Sequence, residues 1–153
     1  MSKPAIQVTH VRQTTMFPAV ACVACMVTGT TPEQFFEYCG HDGSENGFQL
    51  RELIHYLVDH DWMPGAVFDI GSEHAQQFIT QRAVAAIKAA LVVVRDPQNM
   101  KCTHLLLWDG KQLWDPQKAP PTGGRPLQFR DYQVRQVWPL TNINGNDFPR
   151  GHT

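Results

Sequence analysis

The stretch Thr103-His104-Leu105-Leu106-Leu107-Trp108-Asp109-Gly110-Lys111-Gln112-Leu113-Trp114-Asp115 decides how this chain folds. Asp-Gly between apolar runs is a strong signal for a two-residue hairpin turn, because both residues tolerate the positive φ angles of primed turns. The flanking runs carry the Leu and Trp expected of buried strands. With the turn centred between residues 109 and 110, residue 104 stands opposite residue 115. Directly opposed residues of an antiparallel ladder share a face. The spacing therefore predicts a His104–Asp115 pair on one side of a hairpin. A carboxylate beside an imidazole sets its tautomer and orientation, which is what a general base requires.

Outward from the hairpin, Leu91-Val92-Val93-Val94 reads as a buried strand, and Tyr132 to Leu140 as a final strand of alternating character. Pro116 to Pro126 is a Pro/Gly-rich loop, and the polar tail from Thr141 is expected to be mobile. Toward the N-terminus the pattern turns helical. Ser72 caps a helix expected to run to about Lys88, after a short strand over Ala66 to Ile70. Leu50, Leu53, Ile54, Leu57 and Val58 recur at amphipathic spacing in a helix from about Gln49 to His60. Residues 39–47 form a polar, glycine-rich loop. Thr31, Pro32 and Gln34 supply the N-cap, first-turn proline and capping box of an earlier helix. The first helix spans residues 19–27, with Pro18 at its start and Gly29 at its end, after an extended lead-in over 5–13. Its sequence, Ala19-Val20-Ala21-Cys22-Val23-Ala24-Cys25-Met26-Val27, is apolar all round, so it is a buried helix. Helices come first and antiparallel strands second. The expected class is α+β, a buried N-terminal helix packed on a C-terminal antiparallel sheet. One domain over residues 1–153 is expected, with a core from about 10 to 140 and a tail over 141–153.

Charge and composition exclude several roles. The formal net charge is -1 with no basic run, so no nucleic-acid partner is expected. Met1 to His10 holds no apolar signal segment, and the longest apolar runs are short or interrupted. A cytoplasmic location without a membrane partner follows as the expectation. In that setting Cys22, Cys25, Cys39 and Cys102 are reduced thiols rather than a disulfide framework. Cys22 and Cys25 form a C-x-x-C, the spacing of a redox pair or half a zinc site. They lie inside the apolar helix, however, where a cysteine behaves as a small hydrophobe. His55 and Asp59, four apart beside His60 and Asp61, could hold a metal, but they fall on the polar side and end of their helix. Trp108 and Trp114 flank the turn, where packing is the ordinary role of large aromatics. No cofactor and no metal are expected.

A thiol hydrolase needs a nucleophile at a helix N-terminus, a histidine to move its proton, a group to orient the imidazole, and a donor for the oxyanion. The run Gln13-Thr14-Thr15-Met16-Phe17-Pro18-Ala19, continued through Met26 and Gly29, resembles the start of the bacteriocin-processing (double-glycine) peptidase domains of the papain-like superfamily. There a glutamine precedes the nucleophilic cysteine by six residues, with Met seven and Gly ten residues after it. The stretch from His104 to Asp115-Pro116 is similar to that family's histidine and Asp-Pro strands, and Gly47 with Leu50 and Leu53 resembles its intervening helix. The likeness covers about residues 10–118.

The resemblance implies a papain-like fold and a cysteine peptidase, or related acyl-bond hydrolase, acting on a peptide or protein substrate. It assigns His104 as base, Asp115 as its orienting partner, Gln13 as oxyanion donor and residue 19 as nucleophile. Residue 19 is alanine. Two readings stay open: an active-site Cys-to-Ala substitution, or a natural pseudopeptidase that binds peptide without cleaving it. Retention of Gln13, His104 and Asp115 favours the first.

Overall fold

Ten residues without one charge can form a stable helix only where other elements cover every side of it. In the computed structural model these residues are α1, Ala19–Thr28, with Ala21 through Val27 buried. The structure describes residues 19–45, 47–69, 87–96, 99–118, 127–146 and 148, without the side chains of 68, 69, 99–102 and 130. The lead-in over 5–13, Pro18 and most of the 116–126 loop lie outside these residues. Of the helix expected from Ser72, only Ile87 and Lys88 lie inside, and neither is helical.

Local chemistry sets the helix ends. Gly29, at φ 73°, closes α1 by donating its N–H to the Cys25 carbonyl at 2.8 Å. The second helix, α2, is Pro32–Cys39. Thr31 caps it, the Thr31 N–H donates to the Gln34 side chain at 2.9 Å, and Gly40 ends it in the left-handed region. The third, α3, is Leu50–Asp59, and Glu52 reaches back to accept from the Gln49 N–H at 2.9 Å. Leu53, Tyr56 and Leu57 form its buried stripe. Helix α1 packs on both α2 and α3.

Strands β1 (Trp62–Pro64), β2 (Phe68–Asp69), β3 (Ala90–Asp96), β4 (Asn99–Trp108), β5 (Leu113–Trp114) and β6 (Val134–Asn142) follow. All their pairings are antiparallel, in the order β1-β6-β3-β4-β5, with β2 also on β6. A 3-10 turn, Phe129–Asp131, precedes β6. The central strand β3 is apolar on both faces because both faces are covered. Leu91 joins Leu105, Leu107 and the helices, whereas Ala90, Val92 and Val94 pack with Leu106, Leu113, Tyr132 and Val134. Helix α1 lies against β4, so the N-terminal helix does pack on the C-terminal antiparallel sheet.

One strand was not anticipated, and one expectation is corrected. Strand β1 has no alternating pattern of its own and is made by its register on β6, Trp62 with Asn142 and Pro64 with Leu140. The described residues of the tail from Thr141 are attached rather than mobile. Thr141 and Asn142 belong to β6, the Ile143 N–H donates to the Asp61 carbonyl at 2.7 Å, and Phe148 is 3% exposed, its ring 4.7 Å from that of Trp62. An aromatic side chain supplied the area that a polar segment otherwise lacks.

Candidate active site

The packing of α1 on β4 brings two distant parts of the chain together. Ala19 is the first residue of α1, where backbone N–H groups lack intrahelical partners and the helix dipole is positive. His104 lies on β4 between Thr103 and Leu105. Ala19 and His104 line one cleft of about 440 Å³, walled by Val20, Phe48, Leu50, Val93 and Leu105, with Gln117 and Gln136 also in its lining. Two irregularities in β3 flank the register position of His104. One falls between Val93 and Val94 against β6, the other between Arg95 and Asp96 against β4. Such bulges bend a strand and re-aim its side chains.

The hairpin register differs from the sequence expectation. Leu107 pairs with Trp114, Trp108 with Leu113, and the Asp109 N–H donates to the Gln112 carbonyl at 3.1 Å. The turn is therefore centred between Gly110 and Lys111, not between Asp109 and Gly110. The cause is the Asp109 side chain. Its Oδ1 accepts from the N–H groups of Lys111 at 2.8 Å and Gln112 at 2.7 Å, and its Oδ2 from the Trp114 indole at 2.8 Å. Asp109 is thus a flanking residue, and Gly110, at φ 96°, takes the first central position. Moving the centre by one residue shifts the pairing by two, so every side chain keeps its face. His104 and Asp115 become diagonal rather than direct neighbours.

They still meet. His104 Nε2 donates to Asp115 Oδ1 at 2.7 Å, with His104 5% and Asp115 1% exposed. An ionised carboxylate can only accept, so this bond places the ring proton on Nε2 and leaves Nδ1 as the basic nitrogen. Asp115 follows the last residue of β5 and precedes Pro116, outside the ladder. Its carboxylate is held instead by the Gln117 N–H on Oδ1 at 2.8 Å and the Tyr132 hydroxyl on Oδ2 at 2.7 Å. Burial alone would raise the Asp115 carboxyl. The hydrogen bonds from His104 and Tyr132, the imidazole charge and the Gln117 N–H outweigh it and hold the group below the ordinary aspartate value. Tyr132 moves the other way, pushed well up first by burial and then by its bond to Asp115. Sequence reading missed Tyr132 because a tyrosine at the edge of an apolar strand carries no signal of a polar task.

The remaining candidates within the described residues stand apart from this site. Gln13 lies outside the described residues, and so does the side chain of Cys102. Cys22 and Cys25 are buried in α1, and burial pushes each thiol up to about 12. Cys39 is pushed up to about 11, also chiefly by burial. Asp59 accepts from the Tyr38 hydroxyl and His60 Nδ1 donates to the Tyr56 carbonyl at 2.7 Å, while His55 is exposed. Among the described residues no group of three or more His, Cys, Asp or Glu side chains could hold a metal. Trp108 and Trp114 donate their indole N–H groups to the Ile87 carbonyl and to Asp109, so both serve packing. A larger cavity, about 790 Å³, lies beside the 40–49 loop and includes a second histidine–carboxylate pair, His41 with Glu52 at 2.6 Å. There both ring nitrogens are occupied, since Nδ1 accepts from the Gly43 N–H at 3.1 Å. Among the described residues no helix is long and apolar enough to cross a membrane.

No family model and no curated protein matches the sequence. A solved structure does match: a double glycine motif protease from an AMS/PCAT transporter, crystallised in complex with the leader peptide. The TM-score is 0.59 at 11% identity, over 92% of this chain and 95% of that one. The chain therefore has the fold of a double-glycine motif protease along nearly its whole length.

Proposed function

We propose that this chain is a papain-like cysteine peptidase, or a closely related amide or acyl-bond hydrolase, carrying alanine in place of its nucleophile. The observation that supports it most is the buried Nε2–Oδ1 bond of His104 and Asp115 in a cleft that also contains the first residue of a buried helix. With a cysteine at position 19, His104 Nδ1 would take the thiol proton and the thiolate would attack the scissile carbonyl. The oxyanion would meet backbone N–H at the helix start and the Gln13 amide. Collapse of the tetrahedral adduct would return the proton from Nδ1 to the leaving amine. Water, deprotonated by the same nitrogen, would then release the acyl group. A peptide substrate is supported by the leader peptide bound to the structural neighbour and by the apolar walls of the cleft.

Ala19 itself favours a second reading, a pseudopeptidase that binds peptide in the same cleft. Ala19→Cys separates the two. In the hydrolase reading iodoacetamide alkylates the introduced thiol faster than any of the four native cysteines, because only position 19 combines a helix start with a neighbouring imidazole. Brief alkylation followed by mass spectrometry reads the result. A thiol there no more reactive than Cys39 makes the binding reading the better one.

A further inference from the structure

Asp115 poses a positioning problem that the hairpin does not solve. It sits just past the end of β5, followed by a proline that cannot donate to a ladder, so the sheet does not fix its carboxylate. Its Oδ1 serves two donors, His104 Nε2 and the Gln117 N–H, and rotation about the Cβ–Cγ bond would break both. The Tyr132 hydroxyl on Oδ2 opposes that rotation, and it comes from a separate segment with its own support. Tyr132 is buried, its N–H donates to the Phe129 carbonyl at 3.1 Å, and the Phe129 ring rests 5.1 Å from Trp108. The Lys118 ammonium lies 4.8 Å above the Tyr132 ring.

We infer that Tyr132 is a positioning residue of this site. Its hydroxyl holds the Asp115 carboxylate so that Oδ1 accepts from His104 Nε2–H and Nδ1 is left basic for the cleft. The role in turnover rests on the hydrolase reading above, but the effect on the imidazole does not. Among the described residues, the charged groups near the pair are Asp96 on β3 in the cleft lining, Lys118 after β5, and Asp131 beside Tyr132.

Tyr132→Phe removes only the hydroxyl and keeps the ring that packs and meets Lys118. In the Ala19 protein, nitrogen NMR of the imidazole should show the Nε2–H form of His104. In Tyr132→Phe the tautomers should mix, because the Asp115 carboxylate is free to turn and Oδ1 no longer faces Nε2–H alone. Fluorotyrosine at position 132, a stronger donor of the same shape, should keep the Nε2–H form while shifting its resonance, and serves if the phenylalanine variant folds poorly. In an Ala19→Cys background, Tyr132→Phe should lower kcat about 10-fold, as loss of orienting partners does elsewhere. KM should hold. A His104 spectrum unchanged in both variants, with only Tm affected, would overturn the inference. If Ala19→Cys is inert while the ring still responds to Tyr132→Phe, the hydrolase reading falls and the positioning role stands. If Ala19→Cys is active while ring and kcat ignore Tyr132→Phe, the reverse holds.

Discussion

His104 and His41 show how much burial changes the meaning of the same two side chains. Each meets a carboxylate at 2.6–2.7 Å. His41 is 41% exposed at its side chain and has both nitrogens engaged, so the pair is a solvated surface contact. His104 is buried, aimed by a carboxylate that is itself held, and lines a cleft with the start of a helix. In the hydrolase reading, Asp115→Asn in an Ala19→Cys background should therefore lower kcat by about 100-fold or more, through loss of tautomer control and charge stabilisation. Turnover near the parent rate would remove Asp115 from the mechanism. The same carboxylate has a stability signature. Its folded-state value lies below the ordinary one, so the ionised form stabilises the fold. That contribution is complete above the unfolded value of about 3.9 and disappears as pH falls through the folded value. Urea unfolding between pH 6 and pH 2.5 should show the Asp115 protein losing stability more steeply than Asp115→Asn, and parallel curves would place the acid sensitivity elsewhere. At this scale His104, Asp115 and the helix-opening position of residue 19 could be read from spacing. Tyr132 could not, because the loop between it and Asp115 leaves no periodic relation between them.

The β4–β5 hairpin is where local pattern reading reached its limit. Asp-Gly was a correct sign that a turn exists, and the wrong guide to its centre, since the Asp109 carboxylate was needed to satisfy Lys111, Gln112 and Trp114. An error of two in pairing preserves the face, which is why the His104–Asp115 relation survived it. Gly110 carries the cost of this geometry. A Cβ there would stand 2.8 Å from the Lys88 carbonyl oxygen, at a φ of 96° that other residues rarely adopt. Gly110→Ala should therefore destabilise the protein by about 1–3 kcal/mol in urea unfolding. Indifference to the substitution would mean that the turn relaxes freely. The helices were more legible than the strands. Their caps, Thr31 with Gln34 and Gly29 and Gly40 at the ends, act within a few residues of themselves. By contrast β1, three residues long, exists only because β6 passes beside it.

Across the whole molecule, the order of helices before strands was enough to anticipate an α+β chain with its first helix against a late sheet. The attachment of the C-terminal segment was not anticipated, because it depends on one aromatic residue in an otherwise polar run. Phe148 closes over Trp62 beyond the end of β6. Phe148→Ala should cost about 3–5 kcal/mol, as other buried phenylalanine truncations do, and lower Tm accordingly. A loss below about 0.5 kcal/mol would show the segment to be dispensable, since exposed positions behave that way.

The distance along the chain from residue 19 to Tyr132 also orders events in time. During synthesis the opening of α1 leaves the ribosome long before β4 does, and Tyr132 leaves later still. A helix start without its strand has no base beside it, and a histidine strand without Tyr132 lacks one of the bonds on Asp115. In the hydrolase reading, a nucleophile-bearing form of this chain would therefore stay unable to cut anything, itself included, until β4 and Tyr132 had both been made.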